Sequence, residues 1–114
     1  MTEQDLILAL KNQPEQLSFA DTLAVIDCAY HFTPTAFTNG DVVNAAGENN
    51  GSCKIFAFGQ LHQLSAEQAV AGFGEHYRGV LADPTGQGHQ NIRNFIKHGW
   101  AGINFQAQPL AVKA

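Results

Sequence analysis

Charge is what this 114-residue sequence has least of. Only 14% of its residues are Asp, Glu, Lys or Arg, against about 25% in an average soluble domain. It has two cysteines, one tryptophan and one methionine. Six bases against ten acids give a net charge of −4 and a pI near 5.6, so the basic footprint of a nucleic-acid binder is missing. No apolar run approaches the ~18 residues of a membrane span. The two cysteines, Cys28 and Cys53, form neither a CxxC nor a metal-ligand pattern, and reduced thiols are expected. The N-terminus is acidic where a secretory signal needs bases. With no leader evident, a bacterial cytoplasmic location is expected.

Apolar residues supply 45% of the chain, too many for disorder and enough, at this length, for one domain spanning 1–114. The polar surface must come from Asn, Gln, Thr and Gly. Charge is also uneven. Residues 1–53 hold one base against seven acids, a net of −6, and residues 54–114 hold five bases against three acids, a net of +2. Attraction between the two halves is the expected consequence, with a weakly positive anion site in the second half as the alternative.

Start signals recur along the chain. Thr2-x-x-Asp5, Ser18-x-x-Asp21 and Ser65-x-x-Gln68 are capping-box patterns. The first opens a helix that ends before Pro14. The second opens one whose apolar face is Phe19, Leu23, Ile26 and Tyr30. The third opens a long helix reaching Leu81, interrupted by Gly72, Gly74 and Gly79, where close approach of another backbone would explain the glycines. Ser52 is expected to cap a buried central helix over Cys53–Leu64. The break Asp83-Pro84-Thr85-Gly86-Gln87-Gly88 precedes a last helix marked by Ile92, Phe95 and Ile96, with Gly99 as its C′ residue. The tail Ile103–Gln108 alternates apolar and polar residues and reads as a strand that Pro109 ends. Its best partner is the segment 30–38. The fold class is therefore α+β, with about five helices packed on a small sheet formed by the C-terminal strand and a strand near residues 30–38.

Two segments stand out chemically. Gly47-Glu48-Asn49-Asn50-Gly51-Ser52-Cys53 leads into a helix start, where free backbone N–H groups and the dipole suit a phosphate or carboxylate. His89-Gln90-Asn91-Ile92-Arg93-Asn94 puts His89 and Arg93 on one helical face. Asn49, Asn50, Ser52, His89, Asn91 and Arg93 are thus the candidate ligand-binding residues, for a small anion with Arg93 as its charge partner. The turn Asn39–Asp41 is a possible third wall. Cys53, expected at the first helical position beside Lys54, is a candidate nucleophile. His89 or His98 would be its base, oriented by Asn91 or Asp41. That would make a cysteine hydrolase. The alternative for Cys53 is a small core residue capped by Ser52. No histidine pair has ligand spacing such as HExxH, so neither a metal nor another cofactor is expected. Trp100 between Gly99 and Gly102 reads as a core plug.

Several strings in order resemble the HopJ type III effector family: Phe32-Thr33-Pro34-Thr35-Ala36-Phe37-Thr38-Asn39-Gly40, Gly47-x-Asn49-x-Gly51-Ser52-Cys53-Lys54-Ile55-Phe56-Ala57-Phe58, Phe73-Gly74-x-x-Tyr77-Arg78, His89-Gln90-Asn91-Ile92-Arg93-x-Phe95, and Gly99-Trp100-x-Gly102. The resemblance covers nearly the whole chain. Two positions depart from it: His76, where a second tyrosine is common, and Gly88, where an acid is common. The resemblance implies a bacterial protein delivered into host cells, with a host protein as a possible partner. It implies no biochemical activity.

Overall fold

The computed structural model describes residues 1–113. Helix α1 spans Glu3–Asn12, and its capping box closes between Thr2 and Asp5. A short 3-10 turn at Pro14–Gln16 leads to α2, Phe19–Ala29, closed in the same way by Ser18 and Asp21. Helix α3 spans Asn50–Leu61, α4 Ala66–Ala71, α5 Glu75–Ala82 and α6 Gln90–His98. The fold is α+β, with six α-helices among the described residues where five were expected. The extra one comes from the long helix, which divides at Gly72-Phe73-Gly74. Gly74 has φ +58°, and a Cβ there would lie 2.5 Å from the Phe19 amide nitrogen and 2.7 Å from the Ser18 carbonyl carbon. Close passage of a second backbone thus explains this glycine. It does not explain Gly79, which faces open space.

Five strands of three residues each make two antiparallel sheets. Strand β1 (Tyr30–Phe32) pairs with β5 (Leu110–Val112), Tyr30 opposite Val112. The other sheet has the order β3-β2-β4, with β2 Phe37–Asn39, β3 Val42–Asn44 and β4 Ile103–Phe105. The C-terminal tail does join the middle of the chain, but in two places. Its first half meets Phe37–Asn39, and its second half, beyond Pro109, meets Tyr30–Phe32. Tyr30 therefore leaves the α2 face and starts a strand. Its backbone is extended, φ −132°, because the tail offers it a ladder.

Helix α3 is the centre of the core. Cys53, Ile55, Phe56, Ala57, Phe58 and Gly59 are all buried. Phe56 packs on Phe95 at 4.7 Å between ring centroids and on Phe73 at 5.5 Å. Each buried ring contributes about 1.5–3 kcal/mol relative to exposure. Trp100 is half-buried. Its indole N–H donates to the Leu64 carbonyl at 2.9 Å, and its ring occupies the space a Cβ on Gly59 would need. No helix is long and apolar enough to cross a membrane among the described residues.

Candidate functional site

The N-termini of α3 and α6 are brought together by a cluster of carboxamides. Asn44, at the end of β3, is buried, and its Oδ1 accepts from Asn49 Nδ2 at 2.7 Å and from Asn91 Nδ2 at 3.0 Å. Asn49 is the N-cap of α3 and Asn91 lies in the first turn of α6. Asn39, fully buried in β2, donates to the Asn91 carbonyl at 2.7 Å and to its Oδ1 at 3.1 Å. Asn44 Nδ2 also donates to Asn91 Oδ1 at 3.1 Å. Asn39 Oδ1 has no partner among the described residues. Four asparagines thus tie a β-hairpin to two helix starts using neutral groups only.

Both helix starts are unusual in the same way. The N-caps Asn49 and His89 have left-handed backbones, φ 52° and 54°, and neither makes a side-chain cap. An N-cap ordinarily sits in the extended region and satisfies an N–H of the first turn. These two helices also have no acid in the first turn, whereas α1, α2, α4 and α5 each do. Two positive helix ends without side-chain caps therefore meet, and neither first turn carries an acid of its own to balance them. A ring-lined wall completes the site. Phe19 fills the space beside Gly51, His76 stands edge-on to Phe19 at 4.9 Å, and His89 lies 4.9 Å from His76.

The sequence candidates fall into three groups. Asn49, Asn50, Ser52, His89 and Asn91 all lie at these two helix starts, so the two chemically dense segments do converge. Ser52 is not the cap, however. The helix begins at Asn50, because Asn49 supplies the turn geometry, and Ser52 is its third residue. Arg93 points elsewhere. Its Nε donates to the Gly88 carbonyl at 2.6 Å and its Nη1 to the Asp83 carbonyl at 2.8 Å. The guanidinium closes the 83–88 loop, so the Gly88 and Asp83 carbonyls already take two of its donors. Asp41, Val42 and α6 do form an open groove of about 370 Å³, with Gln90, Arg93, Asn94 and Lys97 along it.

Cys53 departs furthest from expectation. With the helix starting three residues earlier, its N–H is already bonded to the Asn49 carbonyl at 3.0 Å. Its side chain is buried, and burial pushes the thiol up to about 11, against smaller lowering effects from the Thr35 backbone and Lys54. That is the reverse of an activated thiolate. The histidines have other partners: His89 has His76, and His98 has Asp41 at 3.6 Å. Sequence reasoning did not single out Asn44. The signal was present: it sits opposite the buried Phe37 in the ladder, a polar residue at an inward position.

A family model described as HopJ type III effector protein matches residues 3–110. A crystal structure of VPA0580, described as a protein of unknown function, is similar at a TM-score of 0.96 and 52% identity, covering 99% of this chain and 95% of that one. No curated protein matches.

Proposed function

Since the chain belongs to the HopJ type III effector protein family, we propose that it is an effector-family domain that binds a small anion, such as a phosphate or carboxylate, where the N-termini of α3 and α6 converge. The observation that carries this reading is the paired, uncapped helix starts, alone among the six α-helices in lacking a first-turn acid. Free N–H groups of the two first turns and the positive ends of both helices would hold the anion. His76 and His89 would border it, and the asparagine cluster would fix the angle between the helices. The family's description makes delivery into a host cell part of this reading.

The test is a thermal-shift screen against inorganic phosphate, phosphate monoesters, nucleotides and small carboxylates. A ligand at 100 times its Kd adds about 2.7 kcal/mol of stability, which is several degrees in Tm. Asn50→Asp places a carboxylate in the exposed first turn of α3. It should raise the resting Tm by a degree or more and abolish the ligand shift. If no member of the screen moves the Tm, the anion reading fails. The second reading, a non-catalytic host-interaction module, is favoured by Leu81 and Ile96, which stay 56% and 50% exposed beside Pro84. The buried Cys53 thiol counts against a cysteine hydrolase.

A further inference from the structure

We propose that Glu3, Tyr30 and His62 form a binding site for a first-row transition-metal ion, with ferric iron the best match to the donor set. The three residues come from α1, β1 and the C-terminal cap of α3, and none belongs to the asparagine cluster. Tyr30 Oη lies 2.9 Å from His62 Nε2, and His62 Nε2 lies 2.6 Å from Glu3 Oε1. Tyr30 Oη also contacts Glu3 Oε1 directly. Three heteroatoms thus form a closed triangle. With Glu3 ionised, a hydrogen-bond account has only two protons for its three edges, one on the phenol and one on the imidazole nitrogen. Well-aligned hydrogen bonds can then serve only two of the edges. A cation at the face of the triangle accepts a lone pair from all three at once.

The dimensions suit a small ion. Donors about 2.1 Å from a metal and at right angles to one another lie about 3 Å apart, so a modest rotation of the Glu3 side chain opens the triangle enough. An ionised carboxylate and a phenolate supply two negative charges, and the set contains no sulfur. Hard oxygen donors with one imidazole favour iron or zinc over copper(I), and the phenolate favours the higher charge of ferric iron. Among the described residues no group of three drawn from His, Cys, Asp and Glu alone could hold a metal. The tyrosine is what completes this one. Tyr30 is buried, while the Glu3 and His62 side chains stay 33% and 26% exposed. The remaining coordination positions therefore face solvent. The Phe58 ring, 4.5 Å from His62 and 6.1 Å from Tyr30, forms a dry wall. A bound cation takes the place of the phenol proton.

Titration of the purified chain with ferric nitrilotriacetate, followed in the visible, tests the site. A phenolate-to-iron charge-transfer band saturating at one equivalent is expected. Tyr30→Phe should abolish it, and Tyr77→Phe, at the only other tyrosine, should leave it unchanged. Loss of even an outer-sphere partner of a metal costs 10–100-fold in affinity, so Glu3→Gln and His62→Gln, which remove direct donors, should each weaken binding at least tenfold. Circular dichroism checks that the variants fold. Should Tyr30→Phe unfold, zinc titration of the iron-free, unaltered chain gives an independent readout: a tyrosinate difference spectrum in the ultraviolet. Absence of the band in the folded, unaltered chain overturns the proposal. So does a band that survives in folded Tyr30→Phe, or a zinc titration without a tyrosinate signal.

Discussion

At the residue scale, Cys28 and Cys53 show how far environment outweighs identity. Cys28 is exposed near the end of α2, and Cys53 is buried at the centre of the core. Iodoacetamide at pH 8 should therefore label Cys28 in the folded protein and leave Cys53 unmodified until denaturant is added, as read by peptide mass mapping. Rapid labelling of Cys53 in the native state would restore the hydrolase reading. The asparagines make a related point. A carboxamide donates and accepts with no net charge, so four of them can join helix starts that four acids would neutralise. Deletion of one leaves its partners buried and unpaired, at about 1–3 kcal/mol each.

At the element scale, starts and stops divide into two kinds. The capping boxes at Thr2, Ser18 and Ser65 form as the sequence predicts, because both partners lie within four residues and the bonds are local. The α3 start lies three residues before the one Ser52 predicts, because Ser52 is an acceptable cap by type while the Asn49 side chain is held by Asn44. The glycines between Ala71 and Val80 give an element-scale prediction. Gly79→Ala, in the middle of α5 with nothing within 4 Å, should stabilise the protein by about 0.5–1 kcal/mol. Gly74→Ala meets the Ser18–Phe19 backbone and a left-handed φ, and should cost about 2–4 kcal/mol. Chemical denaturation measures both, and equal effects would show that the helix division at Gly74 is unimportant.

At the scale of the whole molecule, the unequal halves do attract. Lys54 pairs with Asp27 at 2.8 Å, and Lys113 donates to the Asp27 carbonyl at 2.7 Å. Asp27 is exposed and Lys54 half-buried, and ion pairs near the surface are worth about 0–1 kcal/mol each, so they orient more than they stabilise. Acid stability has a different source. The Thr2 amide and hydroxyl hold Asp5 below its usual 3.8, and the Phe19 amide holds Glu75 below its usual 4.5. Both carboxyls bind protons less readily when folded than when unfolded. Their stabilisation is complete above the usual values and disappears as pH falls through the lower folded ones. Stability should thus fall as pH drops below about 4.5, and Glu75→Gln should flatten that fall, as followed by denaturation at stepped pH. An unchanged slope in the variant would assign the acid dependence to other groups. Glu75 carries a tertiary contact as well as a charge, since its partner Phe19 is 56 residues away.

The sequence by itself determined what is local or periodic. It settled the α+β class, the three capping boxes, the turn at Asn39–Asp41 and the apolar centre around Phe56. It also brought forward the two segments that meet at the candidate site, because their dense polarity is conspicuous in a charge-poor chain. Tertiary structure alone decided which strand pairs with which half of the tail, where the long helix divides, and that Arg93 serves a loop. It likewise decided that Cys53 is buried and that Asn44 holds two helix starts together. The physical reason is one of range. A hydrogen bond between residues three apart is fixed by their types. A bond such as Asn44 to Asn91, 47 residues apart, exists only once the core has placed both ends.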